Sequence, residues 1–305
     1  MTFRKLVVYL AILGAGAWGA SEYRTKREDS ARTANEEGLP ESAKAPASPG
    51  SMGSKFGPAA QVTADGMPAA PEGAEIRMLF IGNSLTYTWA MPQMLTGLAR
   101  AGGINLKTEQ HAPGGWRLVQ HASAAEALTL IDAGGWTAVV LQEQSQWPAF
   151  SEQQVRSDVD PAATALAQRA RASSPGVRIL FYGTPANKNG DPRNAASIPE
   201  LSAYEGMQTR LTATYRRLAR EIGGVTVPAG EAWRAVRRAN PEIELYGDDV
   251  HPSKAGAYLI ACAFYGSMFA RSPVGNSYTA GLEPSVAAQL QRAAWDAVID
   301  EAARR

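Results

Sequence analysis

Cysteine is almost missing from this chain. Of its 305 residues only Cys262 carries a thiol, so no intramolecular disulfide can form and no multi-cysteine zinc or iron–sulfur site can be built. Histidine is nearly as scarce: His111, His121 and His251 leave little for a histidine-based metal cluster, and no cofactor motif is evident. Neither sign of charge prevails, since 30 Lys and Arg stand against 29 Asp and Glu for a formal net charge of +1. That balance argues against a nucleic-acid partner, because such binders carry a strong basic excess or patch. The apolar run over residues 6–20 falls short of the roughly 20 residues that span a bilayer. What remains is ordinary globular composition, 45% apolar and 19% charged, with enough material for a sizeable core.

Both ends of the first 73 residues are readable. Arg4 and Lys5 precede the apolar run, and Ala15-Gly16-Ala17 is a small-residue cleavage site. Together they form the pattern of a secretory signal peptide over residues 1–20. The competing reading is an uncleaved anchor, which the nearby Arg24, Lys26 and Arg27 keep open. Either way the remainder is expected outside the cytoplasm, touching a membrane only through this segment. Residues 21–73 follow as a linker: 28 of these 53 are Ala, Gly, Pro or Ser, and the few large apolar residues recur at neither helix nor strand spacing. Such a segment cannot bury enough apolar surface to offset its ordering entropy.

Residues 74–305 read as one domain in which short apolar runs alternate with amphipathic stretches. Strands are expected at 76–81, 105–110, 139–141, 177–182 and 225–227. Met91, Met94, Leu95 and Leu98 lie on one helix face, and a long helix is expected through Leu201, Tyr204, Met207, Leu211, Tyr215, Leu218 and Ile222. Residues 255–269 are apolar almost all round, a buried helix, and 284–303 form a last amphipathic one. The alternation predicts an α/β fold with a mostly parallel sheet and helices on both faces. Ligands in such sheets bind beyond the carboxyl ends of the strands.

Four blocks at those ends can carry chemistry. Gly82-Asn83-Ser84-Leu85 follows the first strand and puts a serine hydroxyl on a tight turn, although Ser84 can equally be a helix cap. Pro113-Gly114-Gly115-Trp116 follows the second strand; glycine lets a backbone N–H approach an oxyanion closely, or merely makes a turn. Gln142-Glu143-Gln144-Ser145-Gln146 closes the third, where amides can donate to developing negative charge or cap the strand. Asp248-Asp249-Val250-His251-Pro252 supplies a base and an orienting carboxylate three residues apart, as a serine nucleophile requires.

In this order the blocks resemble the SGNH (GDSL-like) hydrolase superfamily over about residues 76–270. Ser84 matches its nucleophile, with Asn83 where Asp is commoner, and Asp248, His251 and Pro252 match its D-x-x-H-P block. The third block departs: the family has G-x-N-D where this chain has Gln142-Glu143-Gln144, and the L-Q-E-Q-S variant looks like a bacterial branch. The resemblance implies a three-layer, flavodoxin-like α/β/α sandwich. It also implies a catalytic set of Ser84, His251 and Asp248, and an oxyanion hole from Ser84, Gly115 and a glutamine, Gln144 ahead of Gln146 and Gln142. Asp249 competes as orienter. The α/β-hydrolases share the Ser–Asp–His order, but they use G-x-S-x-G and place the Asp far from the His.

The expected activity is a serine esterase, with no cofactor and no metal, acting on a small-molecule or glycan ester and reading best as a carbohydrate acetylesterase. Trp89, Trp116 and Trp147 flank the blocks and are candidate sugar-stacking residues, while His111 and His121 read as structural or surface residues. A cell-envelope polysaccharide O-acetyltransferase with the same triad, or a non-catalytic glycan-binding module, are the alternatives.

Overall fold

The structure, a computed structural model, describes residues 74–305. The signal-peptide and linker expectations for residues 1–73 lie outside the described residues. Five strands form one sheet: β1 (Ile76–Ile81), β2 (Leu106–His111), β3 (Ala138–Leu141), β4 (Arg178–Tyr182) and β5 (Val225–Val227). The sheet order is β2-β1-β3-β4-β5, and every pairing is parallel. The expected "mostly parallel" sheet is therefore wholly parallel, and strand positions fall within a residue of those read from the sequence.

The reason lies in the burial pattern. β3 is buried at all four positions and β1 at five of six, as continuous Val/Ile/Leu/Met/Phe runs require when helices cover both faces. Edge strand β2, with the sequence LKTEQH, is mostly open. On one side the buried helix Lys254–Phe269 packs against helices Met91–Ala101, Ala229–Ala239 and Pro284–Ala302. On the other, helix Asp160–Ser173 packs against Ala125–Asp132 and Tyr204–Ile222. Phe80, Phe181 and Phe264 are fully buried in the core. Truncating any such aromatic to Ala costs about 3–5 kcal/mol. The long helix begins at Tyr204 rather than Leu201, which lies in a preceding 3-10 turn, and it ends where Gly223 turns left-handed at φ 76°. Among the described residues no helix is long and apolar enough to cross a membrane.

The register sets up the site. Ile81, the last residue of β1, lies opposite His111 of β2 and Leu141 of β3. The chain steps from β1 outward to β2 and returns across β1 to β3, a reversal that opens a crevice at the carboxyl edge. The three segments leaving that edge begin at Gly82, Ala112 and Gln142.

Candidate active site

Ser84 is the first residue of a one-turn helix, Ser84–Tyr87, which Asn83 caps by accepting from the Leu85 N–H at 3.2 Å. The same asparagine reaches the second segment: its Nδ2 donates to the Trp116 carbonyl at 2.8 Å. The capping role foreseen for Ser84 thus belongs to Asn83. Gly82 is required here by space, since a Cβ would lie 2.5 Å from both Gln142 Oε1 and Thr86 Oγ1.

His251 arrives from the far end of the chain. Its Nε2 lies 2.9 Å from Ser84 Oγ and its Nδ1 lies 2.8 Å from Asp248 Oδ2. A carboxylate oxygen only accepts, so Nδ1 carries the proton and Nε2 is left to accept from the serine hydroxyl. The other Asp248 oxygen accepts from the Val250 and His251 N–H groups, each at 2.7 Å. Desolvation pushes the Asp248 carboxyl up, but these backbone bonds and the imidazole together hold it below its ordinary value. Asp248 therefore makes an Asx turn and meets the imidazole at once. Asp249 contributes its main-chain carbonyl, to the Lys188 N–H at 2.8 Å. Pro252 closes an antiparallel bridge with Tyr246, and Ser253 caps the buried helix by accepting from the Gly256 N–H.

The other expected participants divide. Gly115 sits in an exposed turn at φ 73°, a left-handed conformation that glycine adopts without strain. Neither its N–H nor that of Ser84 donates to another described group. Gln144 is half-buried, and its Oε1 is enclosed with no hydrogen-bond partner among the described residues. Gln146 is half-buried at the cap of a 3-10 turn. Gln142, a runner-up for the oxyanion hole, is corrected: it is fully buried and its amide is committed internally. Its Oε1 accepts from Asn83 N at 2.8 Å and Thr86 Oγ1 at 3.1 Å, and its Nε2 donates to the Glu143 carbonyl at 2.6 Å. It moulds the Ser84 turn from behind.

Glu143, which sequence reasoning passed over, is also wholly buried. Its carboxylate accepts from the N–H groups of Gln144 at 2.6 Å and Leu118 at 3.3 Å, with Arg117 Nε at 3.9 Å. Burial pushes it up to about 7, against the pull of these donors. Arg117 also caps Trp147, its guanidinium carbon 3.3 Å from the ring centroid. The signal was a run of Gln and Glu directly after an apolar strand, which marks buried polar groups needing partners.

His121 is fully buried, so it is structural rather than a surface residue. Its Nε2 contacts the Gly82 carbonyl at 2.9 Å and its Nδ1 meets His111 Nδ1 at 2.9 Å. The carbonyl accepts, so His121 Nε2 carries its proton and the Nδ1–H of the pair belongs to His111. Burial, then the neighbouring His111, lowers His121 to about 4, although the Gly82 bond favours the charged form. Trp116 packs edge-on against His111, so it belongs to this cluster. Of the three tryptophans only Trp89 is open, with 53% of its surface exposed.

No protein-family model matches the chain, and no curated protein does. Solved structures do. A DUF4886 family protein from Bacteroides uniformis superposes with a TM-score of 0.64 at 18% identity, covering 74% of this chain and 95% of that one. A candidate SGNH hydrolase from Slackia heliotrinireducens superposes with a TM-score of 0.53 at 27% identity, covering 64% of this chain and all of its own.

Proposed function

From the premise that this chain belongs with the SGNH hydrolases in fold, we propose that it is a serine ester hydrolase with Ser84 as nucleophile, His251 as general base and acid, and Asp248 as orienter. The observation that carries the reading is the continuous relay of 2.9 and 2.8 Å from Ser84 Oγ through His251 to Asp248. Ser84 Oγ attacks the ester carbonyl as its proton passes to His251 Nε2. The tetrahedral oxyanion collects hydrogen bonds from the N–H groups of Ser84 and Gly115 and from the Gln144 amide; one such donor typically contributes about 2.7–4 kcal/mol to lowering the barrier. His251 returns the proton to the leaving alcohol. Water, activated by the same imidazole, then releases the acyl group.

The substrate in this proposal is a small acyl ester, an acetyl group carried by a carbohydrate, met outside the cytoplasm through the signal-like residues 1–20. The test is hydrolysis of p-nitrophenyl acetate by the full-length chain and by Ser84→Ala. The variant is expected to lose at least a thousandfold in kcat/KM while keeping its Tm. A folded Ser84→Ala protein with native turnover would refute the assignment.

A further inference from the structure

Four described residues other than glycine adopt positive φ, a conformation that L-residues resist. Ala270 is a helix C-cap, where that conformation is routine. The other three, Trp89, Ala90 and Ala280, all line one open groove of about 430 Å³. That volume lies within the roughly 300–1,000 Å³ of ligand pockets. Backbone strain of this kind persists only where the surroundings hold it, and it gathers at ligand sites.

The groove adjoins the chain segment that leaves Ser84 and, through Lys254, the segment that follows His251. One wall is the chain leaving Ser84: Trp89 follows five residues on, and Thr88 Oγ1 donates to the Ser84 carbonyl at 2.6 Å. The other wall is the loop 277–281, whose Gly281 carbonyl lies 3.5 Å from the Lys254 ammonium, three residues after His251.

This second wall is held firmly. Tyr258 Oη donates to the Tyr278 carbonyl at 2.7 Å, Tyr278 N donates to Asn276 Oδ1 at 3.0 Å, and Asn276 Nδ2 donates to the Leu98 carbonyl at 3.0 Å. The Tyr278 ring lies so close to Gly97 that a Cβ there would approach it to 2.5 Å. The site is pre-formed.

Its chemistry is narrow. An exposed indole forms the apolar surface, Gln93, Ser277 and Thr279 supply neutral donors and acceptors, and no charged side chain lines the groove among the described residues. A flat apolar face ringed by neutral hydrogen-bonding groups complements a pyranose, whose C–H face is apolar and whose rim is hydroxyl. The Lys254 ammonium beside the groove is directed to the Gly281 carbonyl rather than into the lining, and a fatty chain would strand the polar groups. We propose that this groove is a sugar-binding subsite, with Trp89 stacking on a neutral pyranose ring of the glycan whose ester faces Ser84. The proposal rests on the esterase reading for the second half of that statement only.

Two readouts separate the two. The first is calorimetric titration of the full-length chain with xylotetraose, cellotetraose and chitotetraose, which needs no chemistry. At least one is expected to bind, with Trp89→Ala weakening it tenfold or more and Gln93→Ala about threefold. Binding of none of the three, or native binding by Trp89→Ala, would overturn the subsite. The second is the ratio of acetate release from an acetylated xylo-oligosaccharide to p-nitrophenyl acetate hydrolysis. Trp89→Ala is expected to lower that ratio at least tenfold, and an unchanged ratio counts against the groove. Failure of Ser84-dependent hydrolysis in the native chain would refute the esterase reading, while the titration would still decide the groove.

Discussion

Gln142→Leu tests whether the Ser84 turn is held from behind. Gln142 is fully buried, and its amide makes three hydrogen bonds, to Asn83 N, Thr86 Oγ1 and the Glu143 carbonyl. Leucine keeps much of the volume and removes every partner. The Thr86 hydroxyl can rotate and the Tyr215 hydroxyl lies within reach of the Glu143 main chain, but the buried Asn83 N–H has no second acceptor among the described residues. An unsatisfied buried group of this kind costs about 1–3 kcal/mol. For a domain of this size each kcal/mol moves Tm by roughly 2–4 °C, giving a fall of roughly 2–12 °C by calorimetry. Activity should fall further than stability suggests, because Asn83 immediately precedes the nucleophile. A displacement of about 1 Å at a reacting group can cost about a hundredfold. On p-nitrophenyl acetate, kcat is expected to drop at least tenfold at a temperature where the variant is folded. A Tm within 2 °C of native together with unchanged kcat would refute the reasoning.

Three further outcomes follow from the same geometry. Asp248→Asn is expected to lower kcat/KM roughly 10²–10⁴-fold and Asp249→Asn less than twofold, since among the described carboxylates it is that of Asp248 that meets His251; the reverse order would transfer the orienting role. His121, held near 4 when folded against about 6.5 when unfolded, contributes stability that is complete above about pH 6.5 and is lost as pH falls toward 4, about 3 kcal/mol in all. Glu143, held near 7 when folded, runs the other way: its contribution is complete below about pH 4.5 and is lost as pH rises toward 7. Urea unfolding of Glu143→Gln should therefore gain about 3 kcal/mol relative to native between pH 4.5 and 7, and a pH-independent difference would show that Glu143 does not titrate in this window.

Much of the fold was legible because its signals are local. Apolar runs such as IRMLFI and RILFY have no stable place except strands covered on both faces, and the all-apolar stretch after Lys254 can only be a central helix. Ser84 and His251 were recognisable as candidates because each lies in a short block whose turn residues constrain the backbone by themselves.

The glutamines and the tryptophans were not separable in this way. Gln142, Gln144 and Gln146 are chemically alike and two residues apart. Gln142 turns inward because Asn83 and Thr86 present donors to it, and Gln144 Oε1 is left without a partner among the described residues. Trp116 packs against His111, Trp147 stacks beneath Arg117, and Trp89 stands open, each according to neighbours brought from other segments. The pairing of His111 with His121 joins the end of β2 to the short helix Leu118–His121, which packs against helix Asp160–Ser173. Composition and periodicity determined the strands, the helices and the blocks at their ends, because backbone conformation and burial follow from a few neighbouring residues. Which side chain meets which hydroxyl, carbonyl or ring was decided only by tertiary structure, because hydrogen bonds form over about 3 Å between residues that lie as far as 167 positions apart, as Ser84 and His251 do.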